Sequence, residues 1–133
     1  MKRLARVAMG KARNSLKAAH VLLEAGLPEE AISRAYYTMF NCAKALSLER
    51  EEDLSKHSAV IAAFGKNYAA THVLDTVLHM FIREGFDERW TADYDLEATY
   101  REGEAEKQIG RAESFLTATE QYLQAHPDEE AAD

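Results

Sequence analysis

Apolar side chains recur every three or four positions through nearly the whole chain, and that spacing points to the amphipathic α-helix. Ala5, Ala8, Ala12, Leu16, Ala19 and Leu23 form one stripe of a first helix, expected over 2–25, which Gly26 ends as a left-handed cap. Gly10 weakens this helix by about 1 kcal/mol relative to alanine. Pro28 suits the first turn of a second helix reaching about Leu48, with Glu29 and Glu30 at the positive end of its dipole. That helix is apolar on two sides: Ala31, Ala35, Cys42 and Ala45 on one, Ile32, Tyr36, Met39, Phe40 and Ala43 on another. Such a helix is either central in its bundle or shared with a partner subunit. Ser55 is the expected N-cap of a third helix carrying Val60, Ile61 and Phe64. A fourth, over 71–91, pairs Val73, Leu74, Val77, Leu78, Phe81 and Ile82, and Gly85 is placed to bend or fray it. After a loop at 93–97, a fifth over 100–125 turns Ile109, Ala112, Phe115, Leu116, Thr119, Tyr122 and Leu123 inward. No stretch alternates as a strand does, and the short connections argue for an all-α, five-helix antiparallel bundle. Residues 1–125 read as one helical domain and 126–133 as an acidic, disordered tail.

A hydrophobic content of 47% with 29% charged residues places the chain among globular proteins and apart from disordered ones. No apolar run approaches a membrane span, and the first residues lack the apolar block and cleavage site of a signal peptide. Cys42 stands alone, which excludes an intrachain disulfide or a cysteine metal cluster. These features lead us to expect a cytoplasmic protein without membrane attachment. The net charge of −7 is unevenly spread. Six of the 16 basic side chains (Lys2, Arg3, Arg6, Lys11, Arg13, Lys17) precede the first acidic one at Glu24. Basic helix 1 either meets an anionic partner or packs beside acidic helices of its own domain.

Four groups of residues have the makings of a site. His72, Asp75 and His79 project from one side of the expected fourth helix, but histidines two turns apart do not readily share an ion, so no metal site is assigned. Arg6, Arg13 and His20 share a face of helix 1; arginine can hold a phosphate and histidine can move a proton, although a surface flanking the apolar stripe is the plainer reading. Arg34, Tyr36 and Tyr37 lie in the otherwise apolar second helix, where they either brace the bundle or a dimer seam or contact a ligand. Arg89 and Asp93 stand one turn apart, beside Tyr94 and Asp95. There is no glycine-rich phosphate loop, nucleophile elbow or zincin motif.

The run Ala31-Ile32-Ser33-Arg34-Ala35-Tyr36-Tyr37-Thr38-Met39-Phe40 resembles the signature of a prokaryotic HEPN (higher eukaryotes and prokaryotes nucleotide-binding) subfamily. Leu22-Leu23-Glu24-Ala25-Gly26 precedes it, as in that subfamily. Lys56 to Ile61 and Phe64-Gly65-Lys66 follow it, and then come Arg89 and Ala92-Asp93-Tyr94-Asp95. The ordered set covers roughly residues 5 to 123. The resemblance implies an up-and-down bundle that often dimerises. It also implies partnership with a minimal nucleotidyltransferase in a toxin–antitoxin-like module. Some relatives are metal-independent ribonucleases, in which an arginine followed by a polar residue, with a histidine four to six residues on, assists attack of the ribose 2′-hydroxyl on the adjacent phosphate.

This sequence departs from that motif. Arg89 occupies the arginine place, but Trp90 follows it and Tyr94 stands where histidine is expected. Tyrosine titrates near 10 and is a poor base at neutral pH. The leading expectation is a non-catalytic or weakly catalytic dimeric partner of a nucleotidyltransferase, with nucleotide or phosphate contacts from Arg34, Tyr37, Arg89 and Arg13 and no cofactor. One alternative is a ribonuclease toxin using Arg89 with Tyr94, His57 recruited from the third helix, or Arg13 with His20. Another is a nucleotide or polynucleotide binder acting through basic helix 1.

Overall fold

In a computed structural model, which describes residues 1–127, α1 (Arg3–Glu24) turns its alanines inward: Ala5, Ala8, Ala12 and Ala19 are buried together with Met9. The helix stops because Gly26 adopts φ 80°. The Gly26 N–H donates to Leu23 O and the Leu27 N–H to Leu22 O, both at 3.0 Å, so the last carbonyls are satisfied as the chain reverses. α2 (Pro28–Glu49) then returns antiparallel to α1, with Pro28 in its first turn.

α2 packs against α1, α3, α4 and α5. Both of its apolar sides are buried, from Ala31, Ala35, Cys42 and Ala45 to Ile32, Tyr36, Met39, Phe40 and Ala43. Of the two alternatives for such a helix, the central position is therefore the one realised, and its apolar surface is consumed within the domain. Each large side chain fully buried there contributes about 1.5–3 kcal/mol.

Beyond Arg50 the chain doubles back, so that α3 (His57–Phe64) starts beside the middle of α2 and runs parallel to it. Its first residue, His57, meets Tyr36, whereas Tyr68, beyond its far end, donates to Leu46 O. Lys56 in extended conformation, and not Ser55, precedes the first turn, and no side chain caps it. A π-helical turn, Gly65–Ala69, continues α3.

α4 (Val77–Tyr94) starts later than the apolar rows indicate. His72 sits at φ 58°, the Leu74 N–H bonds back to Tyr68 O, and the Asp75 carboxylate accepts the Val77 N–H at 3.0 Å. A turn stabilised by its own side chain thus replaces the expected first helical turn. Val73 is half exposed, and His72, Asp75 and His79 do not share a helical face. Gly85 does not fray α4: it lies inside the uninterrupted helix, buried, where a Cβ would stand 2.7 Å from Met39 Cε, so glycine permits close approach to α2. The helix runs into the first two residues of the segment read as a loop at 93–97 and ends at Tyr94.

α5 (Glu102–Ala125) opens with the Glu104 carboxylate accepting the Arg101 N–H and buries Ile109, Ala112, Phe115, Leu116, Thr119 and Leu123 as its periodicity indicates; Tyr122 is half-buried. The Tyr100 N–H donates to Glu29 at the start of α2, which sets α5 parallel to α2. The four long helices alternate in direction while short α3 follows α2, a five-helix bundle with no strand among the described residues. No described helix is long and apolar enough to cross a membrane. Most of the expected acidic tail, 128–133, lies outside the described residues.

Candidate phosphate-binding site

The helical repeat of α2 brings Ser33, Arg34, Tyr36, Tyr37 and Phe40 towards α3 and α4. Tyr36 is 1% exposed, and its hydroxyl lies 2.7 Å from His57 Nδ1. The imidazole stacks on Phe40, with centroids 4.1 Å apart and 15° between planes, and meets Tyr37 edge-on at 5.9 Å. Three aromatic rings of one helix and the tyrosine hydroxyl thus fix the first side chain of α3.

Arg89 enters from α4. Its Cζ lies 5.5 Å from the ring centroids of both Tyr36 and Tyr37 and 5.7 Å from that of Phe86. The side chain is 11% exposed, and Nη1 is 3.5 Å from Asp93 Oδ2, a long and weak pairing. The same carboxylate oxygen accepts from Ser33 Oγ at 3.3 Å. Among the described residues, buried Arg89 Nε has no hydrogen-bond partner. From α2, Arg34 lays its Cζ 4.6 Å from the Tyr37 centroid. Two guanidiniums therefore share one tyrosine ring, each drawn to it by about 0.5–2 kcal/mol, with Asp93 as the carboxylate paired to Arg89. Two cations against one carboxylate, with a buried donor to spare, make a site for an oxyanion.

Burial, and then the charge of Arg89, lower the His57 pKa below its usual 6.5, so the ring is neutral at pH 7. Burial raises the pKa of Tyr36 well above its usual value of 10, against the pull of Arg89, so its hydroxyl keeps its proton. A neutral imidazole bonded through Nδ1 offers Nε2 either as a base or as an N–H donor, depending on which partner carries the shared proton.

The profile of the HEPN domain matches residues 5–122. The chain belongs to the HEPN family. A Methanocaldococcus jannaschii protein provisionally named a toxin is 40% identical over 113 residues, 85% of this chain and 77% of that one. A second protein of that organism, named in the same way, is 36% identical over 105 residues, 79% of this chain and 78% of its own. A Thermotoga maritima protein named UPF0332 is 33% identical over 114 residues, 86% of both chains.

Of the residues singled out in this HEPN sequence, Arg34, Tyr37, Arg89 and His57 come together. Tyr94 stays outside: it is 60% exposed, with its ring against Trp90 at 4.5 Å. Arg13 is exposed on α1, where its charge is felt at Cys42 beside Glu120, and His20 lies 3.4 Å from Glu113 of α5. The Arg13–His20 string therefore faces α5 and has no part in the cluster. Phe40, Phe86 and Ser33 carry weight in the cluster that the sequence did not assign to them, and Tyr36, singled out with Arg34 and Tyr37, is the partner of His57. Only the four-residue spacing of Phe86 to Trp90 and of Tyr36 to Phe40 hinted at aromatic stripes.

Proposed function

We propose that this chain is the toxin-like half of a two-component module. In this reading it is a dimeric HEPN protein that pairs with a minimal nucleotidyltransferase and holds a nucleotide or RNA phosphate between Arg34 and Arg89. The observation that carries the phosphate site is the buried, unpartnered Nε of Arg89 beside a second guanidinium on the same tyrosine ring. The toxin-like role rests on family membership and on the names of the two Methanocaldococcus relatives. Tyr94, exposed at the end of α4, offers a hydroxyl that such a partner could modify. Arg89→Ala should lower affinity for inorganic pyrophosphate at least tenfold, and Arg89→Lys should restore only part of it, because an ammonium lacks the fork. Calorimetry showing equal affinity in all three proteins would remove the phosphate site. Light scattering and co-purification with a co-expressed nucleotidyltransferase test the dimer and the pairing.

A second reading, RNA cleavage, is favoured by one feature: neutral His57 shares the Tyr36, Tyr37 and Phe86 rings with Arg89. The 2′-oxygen would bond to phosphorus as His57 Nε2 takes its proton. The phosphorus–5′-oxygen bond would break, the 5′-oxygen would take a proton from water as it leaves, and a cyclic phosphate would remain, with Arg89 offsetting the charge. Growth arrest on expression, lost in both His57→Ala and Arg89→Ala, is the expected result. Arrest that persists in His57→Ala would exclude this chemistry.

A further inference from the structure

α4 leaves a row of rings uncovered. Trp90 is 56% exposed and Tyr94 60%, their centroids are 4.5 Å apart, and Leu96 just beyond is 98% exposed. One turn before Trp90 stands Phe86. Phe86, Asp87, Trp90 and Thr91 line a shallow depression of about 410 Å³. Phe86 thus faces two ways: its ring is 5.7 Å from Arg89 Cζ and it also walls the depression beside Trp90. A ligand anchored by a phosphate on Arg34 and Arg89 would reach this depression across the Phe86 ring.

Charge decides what such a ligand presents to the row. Asp87 lines the depression, and no basic residue stands among the lining residues to offset it. Carboxylates repel a phosphate and accept hydrogen bonds from amino groups. The row therefore suits the uncharged, flat part of a nucleotide, and the carboxylate favours a base with an amino donor. Base–aromatic stacking needs only a free ring face, which exposed Trp90 provides.

We infer that Trp90, with Phe86, Tyr94 and Asp87, forms a base subsite that stacks an amino-bearing nucleobase of the nucleotide unit whose phosphate lies on Arg34 and Arg89. This rests on the phosphate-site reading above. The unit belongs either to a free nucleotide or to a single-stranded RNA.

Trp90 is the single tryptophan of the chain, so its fluorescence reports on this subsite alone. The full chain is titrated with AMP, CMP, UMP, adenosine and the dinucleotide ApA, and calorimetry with AMP and pyrophosphate is repeated on Trp90→Leu and Asp87→Asn. The expected result is saturable quenching, tighter for AMP and CMP than for UMP. Trp90→Leu should weaken AMP about tenfold while sparing pyrophosphate. Asp87→Asn should narrow the gap between AMP and UMP. Tighter binding of ApA than of AMP would assign the site to RNA, and the reverse to a free nucleotide. Pyrophosphate binding that depends on Arg89, with AMP affinity unchanged in Trp90→Leu, would overturn the base subsite and leave the phosphate site standing. Quenching by adenosine without any pyrophosphate binding would do the opposite. A blue shift of emission with protein concentration alone, lost in Trp90→Leu, would show that a second copy covers the row and would also overturn the subsite.

Discussion

Burial sets the protonation of His57 and Tyr36 before any ligand arrives. His57 and His79 both have pKa values lowered chiefly by burial, with help from Arg89 and Arg83 respectively. Between the ordinary value of 6.5 and the lower folded value, the unfolded chain binds these protons more readily than the folded one. Their contribution to stability is therefore held above pH 6.5 and lost as pH falls through that window. The thermal midpoint should drop between pH 7.5 and 5.5, and the drop should be smaller in the double variant His57→Gln, His79→Gln; parallel profiles would contradict this. Tyr36→Phe removes the partner of His57 Nδ1. It should cost about 1 kcal/mol, read as a lower urea midpoint at unchanged slope. No loss would mean that water replaces the hydroxyl fully. Arg89 was legible in the sequence from its place in the motif. His57 was legible only as one of several candidates, because it lies far from Arg89 along the chain and only the return of the loop after α2 closes that distance.

Three glycines separate the demands of a helix from those of its neighbours. At Gly10 in α1, a Cβ meets nothing within 4 Å, so Gly10→Ala should stabilise by about 0.5–1 kcal/mol through helix propensity alone. At Gly85 in α4, the added carbon meets the mobile end of Met39, which can swing aside, and the gain and the crowding should nearly cancel. At Gly65, the Cβ would stand 2.6 Å from His79 Nε2, on a rigid ring held between α3 and α4, and Gly65→Ala should destabilise by about 1–3 kcal/mol. Denaturant midpoints of the three variants should fall in that order, and a different order would show that the helix contacts relax differently. The same competition explains the late start of α4. Val73 and Leu74 continue its apolar rows, yet the Asp75 carboxylate and the left-handed His72 give the backbone a local alternative that the rows do not encode.

At the scale of the whole molecule, the acidic balance is compensated only locally. Arg6 bonds to Met1 O, Lys2 lies 3.3 Å from Glu51, and His20 faces Glu113, so part of the basic first helix is met by its own domain. A ligand whose single phosphate is held by Arg34 and Arg89 together should give a log–log salt slope of about −0.7. Binding along α1 with its six cations should give about −4 by the same rule. Oligonucleotide affinity measured from 50 to 200 mM salt separates the two. Because both apolar sides of α2 are buried inside the bundle, truncating Ile32, Met39 or Leu46 should act on folding and lower the denaturant midpoint.

The sequence by itself determined the helices, their inward faces and the family, because a 3.6-residue apolar repeat and an ordered set of motifs are properties of the chain read locally. It also determined that Arg34, Tyr37 and Arg89 were worth watching. Tertiary structure alone decided that α2 is central, that His57 stands on Tyr36, and that Tyr94 and Arg13 lie apart from the cluster. Spacing along one helix fixes which side chains share a face. Which faces of different helices meet depends on loop returns and on which small residues let two helices approach, and these are settled only when the whole core packs at once.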